Sequence, residues 1–464
     1  MTPTIFALFV GGAGLVTPRH AVLAVMMVCC LFGAAAAVTL PALGGASVTP
    51  AVLFLPFLVL HAMREQGFAQ CMRQLAFPSA GFWLLLLVIW CMLAAFFLPR
   101  IFAGEVEVFT THRDGANSGV AFLALRPFSG NVTQTGYAVG SVAVYVAARA
   151  LIDAKGGLEQ FRNAILLLAS LNCVAAAINL AELYAGLPSV LEYVRNGSYA
   201  MLNDEEISGV ARITGTFPEA SAFSAFTLPL FAFSSSLWLH HIRPHYSGTV
   251  AVISILFLLF STSTTAYVGL IAYLAWMGMA IAWGGIRHGA FPKAGSLAIW
   301  ASVIVLSLAG VLLFYPSIAT TVSQFLDTTV FNKLQSSSGV ERSAMNMQAW
   351  SNFTETYGAG AGLGSVRASS YPLVLLSNVG AIGTLFFFAF IGRLFWAPSR
   401  PDADEQGRAV PVAARQAVIA TLIAASVSAG SFDLGIAFYA FAAAASASST
   451  PEQEESRTGA RAHA

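Results

Sequence analysis

The sequence is poor in charge. Only 10% of its 464 residues are Asp, Glu, Lys or Arg, whereas 57% are hydrophobic and the mean hydropathy is +0.73. Average proteins carry about 25% charged residues, so this composition excludes an ordinary soluble domain. It predicts an all-α, polytopic integral membrane protein.

Cysteine pairs and cofactor motifs are also missing. Four of the five cysteines fall in apolar segments and Cys71 falls in a predicted cytoplasmic loop, so no external disulfide is expected. The chain has no CxxC motif and no His/Cys cluster, and its one GxGxG pattern follows no strand and lies on the predicted outer side. We therefore expect no metal and no other cofactor, and a function driven by a gradient, by the substrate itself, or by neither.

Long apolar segments dominate the remaining sequence. A bilayer-crossing helix needs about 20 predominantly apolar residues. Candidate spans lie near 4–17, 20–43, 47–62, 80–98, 135–152, 163–186, 220–239, 248–260, 264–284, 295–315, 371–395, 413–428 and 434–447. The first is expected to be a retained span. The prediction is one membrane domain over residues 1–447 with about 12–13 transmembrane helices, followed by a disordered cytoplasmic tail at 448–464.

The basic residues between the spans predict the orientation. Fourteen of the 23 fall in one set of alternating loops and eight in the other set, so the first set is cytoplasmic by the positive-inside rule. Three large loops, at about 99–134, 187–219 and 316–370, are then periplasmic. An arginine in these outer loops is informative because it opposes the topological bias.

The stretch ARITGTFPEASAFSAF places two charged residues at the mouth of an apolar run. Arg212 lies at the predicted outer boundary, and the pattern predicts a helix capped by Thr216 or Phe217 with Pro218 as its first residue. Glu219 then falls in the first turn. It either complements the helix dipole or acts in chemistry. Arg212 either snorkels to lipid headgroups or binds an anion.

A second outer loop repeats this arrangement. Glu341 and Arg342 precede a segment in which Ala344, Met347, Ala349 and Trp350 lean to one face, so the segment is a candidate interfacial helix. Arg367 follows as a third outer cation, after the run that holds Gly360, Gly362 and Gly364. Guanidinium groups that converge at a membrane surface suit a diphosphate, because their planar fork binds phosphate oxygens in pairs.

Taken together, these segments resemble a known family. RITGTFPEASAFSAF, LLFSTSTTAYVGL and GVERSAMNMQAWSNFTETYGAGAGLGSVRASSYPLVLLSNVGAIG are similar, in order and spacing, to the O-antigen polymerase and ligase superfamily. The closest resemblance is to its bacterial exopolysaccharide polymerases of the Wzy type. TPRHAVLAVMMVCCLFG and RPFSGNVTQTGY extend it, so it covers about residues 16–395.

The resemblance implies a metal-independent, inverting glycosyltransferase of polysaccharide biosynthesis in the bacterial inner membrane. It would join repeat units carried on undecaprenyl diphosphate at the periplasmic face, with Arg212 and Arg342 on the diphosphate. The implied partners are this lipid-linked oligosaccharide and the bilayer, with polysaccharide export and chain-length proteins as further candidates and no nucleic acid.

Two departures limit this resemblance. Ligases of the superfamily usually carry a histidine just after the glycine-rich turn, whereas this chain reads Arg-Ala-Ser-Ser-Tyr at 367–371, which favours a polymerase. The family often has an arginine in the segment that matches STSTTAY, where this chain has Thr264 or Thr265. Any role of that arginine is absent here or is taken by another residue.

Within this reading, Arg212, Arg342, Glu219 and Glu341 are the candidate catalytic residues. Glu219 is preferred over Glu341 as general base because its position at a helix end is fixed. Arg367 and the glycines at 360, 362 and 364 are candidate substrate contacts, since glycine lets a backbone approach a sugar or phosphate closely. The glycine run is otherwise a flexible lid.

Three other functions stay open at this stage. They are an O-antigen-type ligase, a lipid-linked oligosaccharide flippase or other transporter, and a non-catalytic scaffold for polysaccharide export. A transporter is expected to carry ionisable residues near the centres of its spans. Here the spans are almost bare and the charge lies at the outer boundary, which favours chemistry at the membrane surface.

Overall fold

The computed structural model describes residues 2–40, 46–114, 117–185, 188–197, 206–207, 210–288, 337–396 and 405–447. The predicted span at 295–315, the first part of the outer loop at 316–370 and the tail at 448–464 lie outside these ranges.

Helices dominate the described residues, which confirms the all-α prediction. They are α1 Ile5–Val16, α2 Val22–Leu31, α3 Pro50–Gln66, α4 Phe68–Arg73, α5 Ala80–Ile101, α6 Ser129–Asp153, α7 Gly157–Ala185, α8 Ala220–Leu239, α9 Pro244–Phe260, α10 Thr264–His288, α11 Ser337–Glu355, α12 Tyr371–Phe395, α13 Glu405–Ser428 and α14 Ile436–Ala445.

Short antiparallel strands join some of these helices. β1 (Thr2–Pro3), β2 (Val38–Leu40) and β3 (Ala46–Val48) form one small sheet, and β6 (Glu206–Ile207) pairs with β7 (Val210–Ala211). β4 (Glu107–Asp114) and β5 (Asn117–Ala124) form a hairpin with Glu107 opposite Ala124.

Six of the described helices are long and apolar enough to cross a membrane. They are Ala80–Ile101, Ser129–Asp153, Gly157–Ala185, Ala220–Leu239, Tyr371–Phe395 and the Gly407–Ser428 part of α13. At 1.5 Å per residue, twenty residues cover the hydrocarbon core of about 30 Å. Large apolar side chains such as Phe96, Leu256 and Leu385 are exposed on the bundle surface. The chain is thus a helical membrane protein whose outer surface suits lipid.

The predicted span at 20–43 is only partly helical. α2 ends at Leu31, and the chain then turns and continues into β2. The ring of Phe217 lies against Gly33, where an added Cβ would be 2.5 Å from a ring carbon. This contact comes from a residue far along the chain, so hydropathy alone does not reveal the early end of the helix.

α8 is the most enclosed of the long helices. It packs against α9, α10 and α13, and residues such as Phe223, Leu228 and Phe233 are fully buried. The neighbouring α14 buries its run of alanines completely. Small residues let helix backbones approach closely, which stabilises helix packing where water provides no hydrophobic driving force.

Polar contacts collect at one end of the bundle in ion pairs. We call this the paired end and define it by Arg149, Asp153, Glu159 and Arg162. Arg149 Nε lies 2.8 Å from Asp153 Oδ2, and Arg162 Nη2 lies 2.8 Å from Glu159 Oε1. These residues border connections that the charge distribution predicts to be cytoplasmic.

The opposite end, which we call the loop end, is defined by residues 105–114, 117–130, 190–197, 212–219, 261–265, 337–342, 358–370 and 429–435. Several of its segments contact one another, since the Arg367 amide donates to the Phe109 carbonyl (2.7 Å) and Arg195 Nε donates to the Gly215 carbonyl (2.9 Å). The described parts of the predicted outer loops at 99–134 and 316–370 therefore contact each other, and those of the loop at 187–219 contact one another as well.

Candidate active site

The segment before α8 is a buried loop at the loop end. Residues 212–217 are all buried although they are not helical. Ile213 and Phe217 pack into a core cluster with Ala176 of α7 and Phe223 of α8. Irregular backbone among membrane helices is tolerated only where protein surrounds it or where it lines a cavity.

Hydrogen bonds from two other segments hold this loop. Asn179 Oδ1 of α7 accepts from the amides of Thr214 (2.9 Å) and Gly215 (3.1 Å). The Thr216 carbonyl accepts from the amide of Ala34, 3.1 Å away. The loop is thus a fixed element of the bundle, which gives Arg212 a defined position.

Arg195 supports the same loop, and sequence reasoning did not select it. Its Nε donates to the Gly215 carbonyl (2.9 Å) and its Nη2 donates to Thr214 Oγ1 (3.0 Å). The available signal was that Arg195 is an outer arginine placed against the positive-inside bias. In the structure, the Arg195 guanidinium binds Thr214 and Gly215, which follow Arg212 by two and three residues in the buried loop.

Arg212 itself is nearly enclosed, with only 9% of its surface exposed. It lies close enough to Tyr267 of α10 to interact with it electrostatically, and Tyr267 Oη donates to the Leu259 carbonyl of α9 (2.9 Å). The guanidinium therefore lies near the junction of α9 and α10. An arginine that only snorkels to lipid headgroups does not need to be buried to this extent.

Glu219 occupies a different position from the predicted one. α8 begins at Ala220, so Pro218 is not its first residue and Glu219 is the N-cap residue, with extended backbone angles. The contacts of residues 212–217 with neighbouring segments delay the start of the helix. The Glu219 carboxylate accepts a hydrogen bond from the Ser221 hydroxyl. It is partly buried at the same mouth as Arg212.

The turn between α9 and α10 carries unusual polar groups. Thr262 has a φ of 48°, a left-handed conformation that β-branched residues rarely adopt. The buried hydroxyls of Thr262, Ser263 and Thr265 form no hydrogen bond within the described part of the chain. A buried polar group without a partner costs about 1–3 kcal/mol, so this turn holds unused hydrogen-bonding capacity beside Tyr267.

Arg342 and Glu341 lie in the first turns of α11. Arg342 is half-buried and Glu341 is exposed, and neither side chain forms a hydrogen bond or an ion pair with another described residue. α11 is fixed farther along, where Asn352 Nδ2 donates to the Glu107 carbonyl of β4 (2.6 Å). Both charged groups are thus carried on a helix that packs on the β4–β5 hairpin.

The predicted apolar face of α11 is divided in the structure. Ala349 is buried with Met345, whereas Met347 and Trp350 are 73% and 52% exposed. The helix packs through Met345 and Ala349 against its neighbours, which takes Ala349 away from the predicted face. The exposed Met347 and Trp350 retain the character of an interfacial surface.

Arg367 lies near the start of α11. Asn346 Oδ1 accepts from the Ser369 amide (2.8 Å), and Arg342 precedes Asn346 by one helical turn on the same face. The Arg367 guanidinium packs on Gly430, where an added Cβ would lie 3.0 Å from Nη2. Arg342 and Arg367 therefore share one neighbourhood, and Arg212 occupies a second one at the same end.

The three candidate glycines are tightly packed against protein. Gly360, Gly362 and Gly364 have φ values of 85°, 100° and 82°. An added Cβ at Gly362 would lie 2.6 Å from Pro99, and one at Gly364 would lie 2.4 Å from the Gly130 carbonyl oxygen. This packing argues against a flexible lid. A substrate contact at these glycines stays a prediction.

The glycine run also completes a break in α12. Gly380 is non-helical, with a φ of 65°. The Ala361 amide donates to the Ser377 carbonyl (2.7 Å), and the Ala381 amide donates to the Gly358 carbonyl (2.9 Å). The run thus satisfies backbone groups that the broken helix leaves unpaired, and it fixes the position of Arg367 just beyond it.

The described residues contain no group of three or more His, Cys, Asp or Glu side chains that could hold a metal ion. An apolar cavity of about 330 Å³ lies between α3, α4, α5 and α6, and its lining includes Met63, Cys71 and Met92. Its lining residues belong to neither arginine neighbourhood.

In the comparisons with known proteins, no family model and no curated protein sequence matches this chain.

Proposed function

We propose that this protein is a polysaccharide polymerase of the bacterial inner membrane with about 12–13 spans. It joins repeat units linked to undecaprenyl diphosphate by inverting glycosyl transfer, and its loop end faces the periplasm. The family resemblance of the quoted motifs is the basis for the substrate class. The geometry of the loop end supports the position of the chemistry.

One observation carries the proposal more than the others. The loop holding Arg212 is buried among membrane helices, and the turn next to Tyr267 holds three buried hydroxyls that form no hydrogen bond with a described residue. A buried hydroxyl without a hydrogen bond is costly. A lipid diphosphate that emerges from the bilayer supplies acceptor oxygens for these hydroxyls, and the positive charge of Arg212 attracts it.

The energy for the reaction comes from the departure of the donor's leaving group, the lipid diphosphate. A hydroxyl of the incoming repeat attacks C1 of the growing glycan, the C1–O bond to the diphosphate breaks, and the electron pair leaves with the lipid diphosphate. Arg212 stabilises the charge that develops there, which is the kind of electrostatic stabilisation that typically contributes most to catalysis. Arg342 lies with Arg367 in the other arginine neighbourhood, so its predicted contact with the same diphosphate is tested by the double variant with Arg212. Glu219 and Glu341 are the candidates from the sequence for the general base, and Arg367 contacts the substrate.

Glycan analysis of a deletion strain tests this function. A polymerase defect leaves single lipid-linked repeats on the outer face of the membrane. A flippase defect leaves them on the inner face, and a ligase defect leaves polymer on the lipid carrier. Either of the last two results would replace the proposed function by that alternative.

Cysteine labelling from outside tests the orientation. Glu355 and Arg408 are both exposed, and they belong to the predicted outer and inner sides respectively. With Glu355→Cys and Arg408→Cys in otherwise cysteine-free protein, only the first should react in intact cells with the inner membrane closed. Labelling of only the second would invert the topology and remove the periplasmic reaction.

A further inference from the structure

Another acidic residue of the loop end, Asp433, lies in the turn between α13 and α14. The turn is well fixed, because Tyr371 Oη donates to the Phe432 carbonyl (3.2 Å) and Phe432 is buried. The Gly435 amide donates to Asp433 Oδ1 (3.1 Å), and Oδ2 forms no hydrogen bond with any described residue. Asp433 is partly exposed. One carboxylate oxygen is therefore oriented and the other is open.

Asp433 belongs to the neighbourhood of Arg342 and Arg367. Gly430, which contacts the Arg367 guanidinium, lies in the same turn three residues earlier. Asp433 and Arg367 are nevertheless too far apart to form an ion pair. The Arg367 guanidinium can thus bind a substrate at this turn. Because it forms no ion pair with Asp433, it does not neutralise that carboxylate directly.

The titratable groups that face Asp433 are two tyrosines and a cysteine. Tyr371 of α12 and Tyr439 of α14 interact with it electrostatically, and Cys91 of α5 lies close to both tyrosines. Burial raises the pKa of the Asp433 carboxyl above its usual range, while the Gly435 amide acts in the opposite direction. A general base works best when its pKa lies near the operating pH, so the raised value improves Asp433 for that task.

The two carboxylates selected from the sequence are less suited. Glu219 lies on the segment of Arg212, which holds the leaving diphosphate in the proposed function, and Glu341 is exposed on α11. We infer that Asp433 Oδ2 accepts the proton of the acceptor hydroxyl as that oxygen forms its bond to C1 and the lipid diphosphate departs. The proton passes to Asp433, and the electron pair of the broken C1–O bond stays on the diphosphate.

This inference rests on the proposed function, and one assay separates the two. Purified protein in liposomes is given lipid-linked repeats extracted from the deletion strain, and chain elongation is followed against pH. If the wild type does not elongate them, the proposed function fails. If it does, Asp433→Asn should lower kcat about 10²-fold or more with little change in KM, in the range of a lost general base.

The pH profile provides the second readout. The wild-type rate should fall as the pH drops through the pKa of Asp433, so the acidic limb should lie above the ordinary aspartate range of about 4. Asp433→Asn should remove this limb, whereas Glu105→Gln, an exposed carboxylate at the same end, should leave rate and profile unchanged. A wild-type profile without this limb would overturn the inference even if Asp433→Asn fails to fold. Wild-type activity of a folded Asp433→Asn would overturn it directly.

Discussion

At the paired end, Arg149 and Arg162 are buried beside the carboxylates of Asp153 and Glu159, each 2.8 Å away. At the loop end, Arg342 and Arg367 form no ion pair with any described Asp or Glu. Arg212 has Tyr267 beside it, and unpartnered hydroxyls occupy the turn between α9 and α10. The same residue type therefore has two different environments in one bundle.

This difference indicates which arginines support the fold and which are available to a ligand. An arginine whose charge is matched within the protein has little left to offer a ligand, and its removal leaves a carboxylate without compensation. Arginines that form no ion pair with a described carboxylate, such as Arg342 and Arg367, form an electropositive surface that an anionic substrate can complete. The comparison predicts that substitutions at the paired end change stability, and that substitutions at the loop end change activity.

The largest expected effect is on Arg212. Arg212→Ala should lower elongation about 10²- to 10³-fold, because one electrostatic partner of the leaving diphosphate is lost. Arg212→Lys should rescue poorly, since a point charge lacks the paired geometry. If Arg212 and Arg342 stabilise one diphosphate, the double variant should be far less than multiplicatively worse.

Arg126→Ala is the matched control for Arg212. Arg126 is an exposed arginine of the loop end that packs over the Phe128 ring and has no assigned role in the reaction. It should elongate at the wild-type rate. Full-length polymer from Arg212→Ala at normal membrane level would refute the diphosphate role and leave Arg212 as a structural residue.

The next effect concerns the paired end. Arg149→Leu leaves Asp153 partly buried without its partner and removes the bond to Ser446 Oγ (2.9 Å), so it should destabilise the protein by about 3 kcal/mol. Thermal unfolding in detergent measures this loss. Arg19→Ala, which breaks an exposed pair with Glu65, should cost less than about 1 kcal/mol.

Activity per folded molecule completes the Arg149 test. It should stay at the wild-type level in Arg149→Leu, because the substitution lies at the paired end. A loss of specific activity comparable with that of Arg212→Ala would remove the distinction between the two ends.

A smaller loss of stability is expected at Gly362. Gly362→Ala forces a Cβ to 2.6 Å from Pro99 at a φ of 100°, and should cost about 2–3 kcal/mol. Gly104→Ala has a similar φ of 75° with no neighbour near the added Cβ, so it should cost about 1 kcal/mol. Equal melting temperatures for the two variants would show that the run is not packed as described.

The smallest effect is a gain in stability. Thr262→Gly relieves a left-handed β-branched residue and removes an unpartnered hydroxyl, so it should stabilise the protein by about 1 kcal/mol while lowering elongation. Tyr357→Gly relieves a similar φ of 51° at a 92% exposed residue and should leave elongation unchanged. Undiminished elongation by Thr262→Gly would exclude this hydroxyl from the site.

Hydropathy predicted the spans well where a helix is continuous, as in α5 and α6. It failed at residues 32–40 and at the Gly380 break, because both depend on distant segments: Phe217 packs on Gly33, and the glycine run supplies hydrogen bonds to α12. A sequence pattern records local periodicity and cannot show which remote residue fills the space beside a glycine.

The candidate site shows the same limit. Arg212, Arg342 and Arg367 were selected because outer arginines oppose the topological bias, and the structure brings two of them into one neighbourhood. Arg195 and Asp433 were not selected. The contact of Arg195 with Gly215 arises only when separate segments meet at the loop end. The contact of Asp433 with Gly435 is local, but the packing of its turn on the Arg367 guanidinium through Gly430 joins distant parts of the chain.

The measurement that tests the central claim most directly is elongation by the purified protein in liposomes, with lipid-linked repeats from the deletion strain as the only substrate. The account predicts a ladder of longer glycans, one free lipid diphosphate released for each new bond, and loss of both products in Arg212→Ala but not in Arg126→Ala. Repeats that stay single with folded wild-type protein, or a ladder that Arg212→Ala makes equally well, would contradict it.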